Sequence, residues 1–279
     1  MYPILFSIGS FHIYSLSVFL VLAWLFFSFF FWKQLRGSGI DEDKIFDLTF
    51  YTTIAALVAS RALFVVLNWE LFSDTWLKIF APWVQPGFSE YGAFIGALMT
   101  IVSMSRATKV RLGHVLDAAA NSFPVSILVG LIGVFLDGSV AGKITTLPWA
   151  IRTVGHVGRR HPVQLYEIIV LCVLIAILAK FHARSSKERW PYGMVGVWFF
   201  VLYSLSMFVL EFFKETRVYW VSLSANQWIL IAIFAEALGA FYVRGGGRES
   251  LRPVGHKITA SIKKGLGGIY AKFPFRRTK

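Results

Sequence analysis

The run Arg159-Arg160-His161-Pro162-Val163-Gln164-Leu165-Tyr166-Glu167 concentrates the residue types of this chain that are best suited to chemistry. Three residues able to carry positive charge precede a proline, and an apolar run follows. Pro162 suits the first turn of a helix, where its missing N–H is no loss. A helix N-terminus already carries partial positive charge, so two arginines and a histidine there call for an anion among them. Backbone N–H groups and cations together make a good phosphate site, and in a membrane the phosphate at hand is a lipid headgroup. The plainer alternative is that these cations only anchor a helix at the interface.

Other polar residues lie inside apolar stretches, where ionisable groups are costly and therefore candidates for a site. Arg61, within Ala59-Ser60-Arg61-Ala62-Leu63-Phe64, needs an acidic or phosphate partner, and Glu211 or Asp137 would serve as a structural one. Glu211 shares a helical face with Tyr203 and Met207 at i, i+4, i+8 spacing, and Lys214 lies within pairing reach. That places Glu211 between a structural ion pair and a catalytic role. Gln164 and Glu167 share a face at i, i+3; Gln164 suits a lipid ester or hydroxyl, and Glu167 suits Arg61 or Arg160. Tyr91, in Glu90-Tyr91-Gly92-Ala93-Phe94-Ile95-Gly96, can donate a hydrogen bond, act as a base or serve as an interfacial anchor. Gly92 and Gly96, like Gly130 and Gly133, fit close helix packing, and Asp137-Gly138 reads as a helix stop.

The elements that must position these residues are membrane helices. The chain is 56% hydrophobic and 17% aromatic, with mean hydropathy +0.63, beyond a soluble domain. Apolar segments lie near 12–32, 46–67, 88–104, 115–136, 163–181, 192–213 and 227–243, against the ~20 residues a span needs. The third is the shortest, and Asp117, Asn121 and Pro124 interrupt the fourth. The expected fold is an all-α integral membrane protein of about seven transmembrane helices.

Basic residues set the expected orientation. The loops after spans one, three and five carry Lys33, Arg36 and Lys44, then Arg106, Lys109 and Arg111, then Lys180, Arg184, Lys187 and Arg189. The other loops carry Lys78, Lys143, Arg152, Arg159, Arg160, Lys214 and Arg217. This predicts the N-terminus outside, the C-terminus in the cytoplasm and the Arg159–His161 cluster toward the outer face. The first span reads as a retained anchor rather than a cleaved signal peptide. Residues 1–243 form the expected membrane domain. Residues 244–279, with ten Lys/Arg, one acid and seven glycines, read as a basic cytoplasmic tail, mobile or bound to the anionic membrane surface. The single cysteine, Cys172, precludes an intramolecular disulfide and reads as a small buried apolar residue. The six histidines are scattered, with no metal-ligand spacing and no Gly-rich phosphate loop, so neither a metal nor another cofactor is expected. Nucleic acid is not an expected partner, because the basic tail adjoins a span.

Over most of residues 3–243 the chain resembles the prolipoprotein diacylglyceryl transferase family. The resemblance is carried by Ile4-Leu5-Phe6-Ser7-Ile8-Gly9 with Ile13-Tyr14, by Ser60-Arg61-Ala62-Leu63-Phe64 and by Tyr91-Gly92-Ala93-Phe94-Ile95-Gly96. Further matches are Tyr203 to Lys214 and Ser224-Ala225-Asn226-Gln227. Arg160-His161-Pro162-Val163-Gln164-Leu165-Tyr166-Glu167 is the most specific match. The resemblance implies transfer of a diacylglyceryl group from phosphatidylglycerol to a lipobox cysteine thiol, with glycerol phosphate leaving. It implies His161, Tyr91 and Glu211 as catalytic residues, and Arg61, Arg160, Gln164 and Tyr203 as ligands of the lipid phosphate. The implied partners are phosphatidylglycerol or a similar phospholipid and a lipobox-bearing precursor, at the plasma (inner) membrane.

Departures from the family pattern are local. Its Gly-Arg-x-Gly-Asn-Phe-x-Asn-Gly-Glu is here Gly130 to Ser139, with Leu131, Val134 and Ser139 at the arginine, asparagine and glutamate positions. Its Phe-Arg in span six is Ser206-Met207. Neither leucine nor methionine donates a hydrogen bond to phosphate. The alternative function is therefore a non-catalytic relative that binds lipid or lipoprotein, or a related transferase using another headgroup.

Overall fold

The computed structural model describes residues 2–9, 11–188, 190–216 and 218–244. Of the basic tail only Arg244 is described; residues 245–279, like Arg217, lie outside the described residues. Seven helices dominate: α1 Ser15–Gly37, α2 Glu42–Leu67, α3 Glu90–Ala107, α4 Leu112–Asp137, α5 Val163–Glu188, α6 Met194–Glu211 and α7 Ala225–Arg244. Six are long and apolar enough to cross a membrane; α3 contributes only the shorter apolar stretch Gly92–Ala107. Lipid cannot satisfy backbone polar groups, so such segments become helices that satisfy their own.

Helix boundaries follow from specific residues. Ser89 caps α3, its hydroxyl accepting from Gly92 N–H at 3.4 Å. α4 stops at Gly138, which takes φ +76°, a left-handed conformation that favours glycine. Asp117 of α4 caps α6 from across the bundle, accepting from Gly193 N–H at 2.7 Å and Gly196 N–H at 2.9 Å. Ser224 and Gln227 form a reciprocal capping box at the start of α7, with bonds of 2.9 and 3.2 Å.

Packing depends on small residues. A Cβ on Gly92 would lie 2.4 Å from Ala59 O, and one on Gly96 2.6 Å from Ala55 O, so these glycines let α3 lie directly on α2. Gly133 does the same for α1 against α4, where a Cβ would meet that of Phe19 at 2.5 Å. One buried cluster joins the α1–α2 and α3–α4 ends around Phe31, Leu35, Leu48, Ile101 and Val115. A second joins α4, α5 and α6 around Leu171, Leu174, Met207 and Leu210. Large apolar side chains such as Leu20, Leu25 and Phe29 of α1 are exposed, as expected of surfaces that face lipid. Cys172 is also exposed on α5, contrary to the buried position expected of it; midway along a membrane helix, an apolar-tolerant residue packs as well against lipid as against protein.

Short β-pairs were not anticipated. Residues before α1 form the antiparallel pair β1 Ile4–Ile8 and β2 Phe11–Tyr14. Between α4 and α5 lie β3 Ile151–Arg152 and β4 Arg159–Arg160; between α6 and α7 lie β5 Val218–Trp220 and β6 Leu223–Ser224.

Candidate active site

The loop from α4 to α5 and the turn after α6 are woven into one polar cap over the same end of the bundle. Residues 141–145 run between two partner segments. On one side Lys143 N–H donates to Phe213 O at 2.8 Å and Glu215 N–H to Ala141 O at 2.9 Å. On the other, Thr145 N–H donates to Arg159 O at 2.9 Å and His161 N–H to Lys143 O at 3.1 Å. β4 then pairs with β3 through Ile151–Arg160 and Arg152–Arg159. Gly142 permits the weave, because a Cβ there would lie 2.2 Å from His161 O.

Arg160 is buried in this cap at 6% exposure. One guanidinium nitrogen donates to Gly142 O at 2.9 Å and pairs with the half-exposed Glu215 carboxylate. Its Nε is buried and has no partner among the described residues. His156 Nδ1 lies 3.9 Å from the same Glu215 carboxylate. His161 follows directly. Its Nδ1 is 3.2 Å from the Tyr166 hydroxyl, which accepts from Trp149 Nε1 at 2.7 Å, and Phe213 packs edge-on against its ring. Arg159 is spent on its own loop, donating to Pro148 O and Ala150 O.

Beneath Arg160 lies a second charged group. Lys214 Nζ is 2.7 Å from Glu167 and 3.2 Å from Glu211, and both carboxylates are buried. Burial works against the lysine's charge, but the two carboxylates outweigh it and hold its pKa above the ordinary lysine value. Glu211 also accepts from the Asn226 amide and, at 3.4 Å, from the Ser224 hydroxyl. α5, α6 and α7 are thus tied together at one point by polar bonds in an apolar surround.

Of the residues the sequence singles out, Arg160, His161, Gln164 and Glu211 come together in the cap, while Arg61 does not join them. Arg61 donates from Nε to Ile79 O at 2.9 Å and from its terminal nitrogens to Gly87 O at 2.8 Å and Lys78 O at 2.7 Å. Phe64, Phe72 and Phe88 surround its guanidinium. Among the described residues no carboxylate pairs with Arg61. The expected acid is replaced by three carbonyls, because the α2–α3 loop folds over the helix end and presents them. Glu167 holds Lys214 rather than Arg61 or Arg160. Gln164 is buried and donates to Val140 O at 2.6 Å, which ties α5 to the chain leaving α4. Tyr203 packs on Phe199 between two apolar clusters. Tyr91 is the second residue of α3, and its side chain lies outside the described residues. Lys214 reaches this cap, yet as a bridge between acids. Glu215 and Trp149 are not among the residues the sequence singles out, and Tyr166 stands in the signature without a role assigned to it. The acidic neighbour of Lys214 was visible in Glu211-Phe212-Phe213-Lys214-Glu215, but its pairing with a residue 55 positions away was not.

Met207 belongs to the buried cluster with Leu171, Leu174 and Leu210, and Leu131, Tyr166 and Tyr203 pack against that cluster from its edge. The two apolar residues at the family's arginine positions therefore pack in one core.

Six helices long and apolar enough to cross a membrane, with a polar cap that buries an arginine beside a histidine at one helix end, define a multi-pass membrane protein. The chain belongs to the prolipoprotein diacylglyceryl transferase family, whose model matches residues 3–243. It is similar to the phosphatidylglycerol–prolipoprotein diacylglyceryl transferase of Wolbachia pipientis from Culex pipiens, 29% identical over 237 residues, covering 82% of this chain and 89% of that protein. The enzyme of the same name from Aeromonas hydrophila is 31% identical over 223 residues, 76% of this chain and 78% of its own. That from Geobacter sulfurreducens is 31% identical over 182 residues, 64% of this chain and 68% of its own.

Proposed function

We propose that this protein transfers the diacylglyceryl group of phosphatidylglycerol to the cysteine thiol of a lipobox-bearing precursor. The cysteine sulfur attacks the glyceryl carbon that bears the phosphate. A C–S bond forms, the C–O bond to phosphate breaks, and glycerol phosphate leaves with the electron pair. Phosphate as leaving group requires cationic donors, and the thiol must lose its proton to become a nucleophile. The observation that carries this reading is the buried Nε of Arg160, which has no partner among the described residues. An unsatisfied buried donor costs about 1–3 kcal/mol, and an arriving phosphate oxygen would satisfy it. His161, held against Tyr166, stands next in the chain to assist the thiol. Tyr91 is a second candidate for that role. Gln164, Glu211 and Tyr203 act by holding the cap and the helices beneath it, and Arg61 by shaping the adjoining loop. The setting proposed is the plasma (inner) membrane, with the cap toward the outer face as the basic-residue asymmetry directs.

One observation favours a second reading. Leu131 and Met207 close the apolar cluster where the family's pattern carries arginines, and the cap's cations Lys214 and Arg160 are already met by acids. A protein of that kind would bind a phospholipid or precursor without transfer, or act on another headgroup. The test is transfer itself. Purified protein in a bilayer mimetic receives phosphatidylglycerol and a lipobox peptide, and the peptide is weighed by mass spectrometry. A diacylglyceryl mass gain that vanishes in Arg160→Ala supports transfer. Folded protein that binds phospholipid and yields no gain supports the second reading.

A further inference from the structure

A polar concavity lies at the end of the bundle opposite the Arg160 cap. It has a volume of about 460 Å³, within the range of roughly 300–1,000 Å³ usual for small-molecule sites. Its floor is α4, which packs against both α1 and α5. Lys33, Gln34 and Ser38 line it from the end of α1, Asn121 from α4 and His182 from α5, with Phe30 as its apolar wall. His182 is 18 residues beyond Gln164 on the same helix, which at ~1.5 Å per residue is ~27 Å. The concavity and the Arg160 cap are therefore separated by about the thickness of the bilayer's hydrocarbon core, ~30 Å.

The lining is rich in unspent donors. Among the described residues, no hydrogen bond or ion pair engages the side chains of Lys33, Gln34 or Asn121. Asn121 is the amide that interrupts the fourth apolar segment, and an unsatisfied amide within a span is costly. No acid lines the concavity. Asp117, the carboxylate close enough to interact with His182, is occupied by the N–H groups of Gly193 and Gly196. The neighbouring cations Arg36 and Arg184 are paired with Glu42 and Glu188, whereas Lys33 is left for a ligand. On α1 the positions Phe26, Phe30, Lys33, Gln34 and Gly37 recur at helical spacing, so one face turns from aromatic to polar toward the helix end. Phe26 stacks on Phe30 at 6.3 Å and is 42% exposed, continuing an apolar track from the concavity into the bilayer.

We infer that this concavity binds the phosphate headgroup of an anionic phospholipid from the leaflet opposite the Arg160 cap, with an acyl chain along Phe26 and Phe30. Lys33 supplies the cationic donor and His182 a ring N–H, Gln34 and Asn121 bind phosphate or glycerol oxygens, and the aromatic track distinguishes a lipid from a free anion. Basic pockets between membrane helices are known to hold anionic headgroups in this way. The site is independent of the proposed transfer reaction.

Native mass spectrometry of the full chain in mild detergent, loaded with phosphatidylglycerol or phosphatidylcholine, tests it. In an Arg160→Ala background, which weakens the lipid proposed for the cap, the protein should still retain one phosphatidylglycerol in preference to phosphatidylcholine. Lys33→Ala/His182→Ala should lower its occupancy at least tenfold, and Asn121→Ala, a variant of neutral charge, should lower it by a smaller factor. Unchanged occupancy in the double variant would overturn the inference. So would equal retention of phosphatidylcholine, or displacement of the lipid by millimolar inorganic phosphate, which would mark a free-anion site. Should the double variant not fold, Lys33→Arg holding the lipid at wild-type occupancy while Asn121→Ala holds less carries the same test.

Discussion

On the proposed reading, Arg160 is a buried cation kept for a lipid phosphate while a carboxylate of its own chain neutralises it. Glu215 lies over it from a half-exposed position, so an arriving phosphate competes with a carboxylate on its own chain. Replacing Glu215 with Gln should remove that competitor. An ion pair with one exposed partner is worth up to ~1 kcal/mol, so the apparent Kd for phosphatidylglycerol should fall about two- to fivefold, measured by lipid titration in nanodiscs. Lys214 has the opposite character. Both its partners are buried, and removing a lysine from between two buried carboxylates leaves uncompensated charge. Lys214→Met should destabilise by about 3–5 kcal/mol, read as loss of folded protein in a thermal melt. Removing one carboxylate at the same time, as in Lys214→Met/Glu211→Gln, should recover part of that loss. Arg61→Lys should fail to restore the α2–α3 loop, because an ammonium cannot match a planar fork aimed at three carbonyls. The readout is faster proteolysis within residues 68–89.

At the level of elements, the cap depends on one glycine and the α2–α3 pair on two. Gly142→Ala forces a Cβ to within 2.2 Å of a backbone oxygen that cannot move without His161. It should reduce transfer more than it reduces thermal stability, because it displaces the residue next to Arg160. Gly92→Ala places its methyl 2.4 Å from Ala59 O. Overpacking of this kind typically costs about 1–3 kcal/mol and should lower the melting temperature. Much at this scale was legible in the chain. The helical segments, the packing role of Gly92, Gly96 and Gly133, the stop at Gly138 and the pairing of Lys214 with Glu211 are local or periodic patterns, whereas Gly130, expected to serve packing too, would meet Ala23 only at an ordinary 3.8 Å. The β-pairs were not legible, because strands of two to five residues carry too few positions for a period. The cross-bundle cap from Asp117 to α6 was not legible either, since its partners are 76 and 79 residues apart.

For the whole molecule, the asymmetry of basic residues predicts a topology that cysteine labelling can check. In a Cys172→Ala background, a single cysteine at Gly155, between β3 and β4, should react with a membrane-impermeant maleimide added outside intact cells. One at Ser186, near the end of α5, should react only after permeabilisation. The reverse pattern would invert the orientation and place the Arg160 cap in the cytoplasm.

Composition and periodicity alone determined that this is a helical membrane protein, and local motifs determined its family, because both are properties of neighbouring residues along the chain. Tertiary structure alone decided how the charges are spent. Arg61 turned to carbonyls of its own loop, Glu167 took Lys214, Glu215 covered Arg160, and Leu131 packed against the apolar cluster that holds Met207. Charge partners are chosen by which backbone and side-chain groups the fold brings within about 3 Å, the length of a hydrogen bond, and residues far apart in sequence give no local sign of that choice.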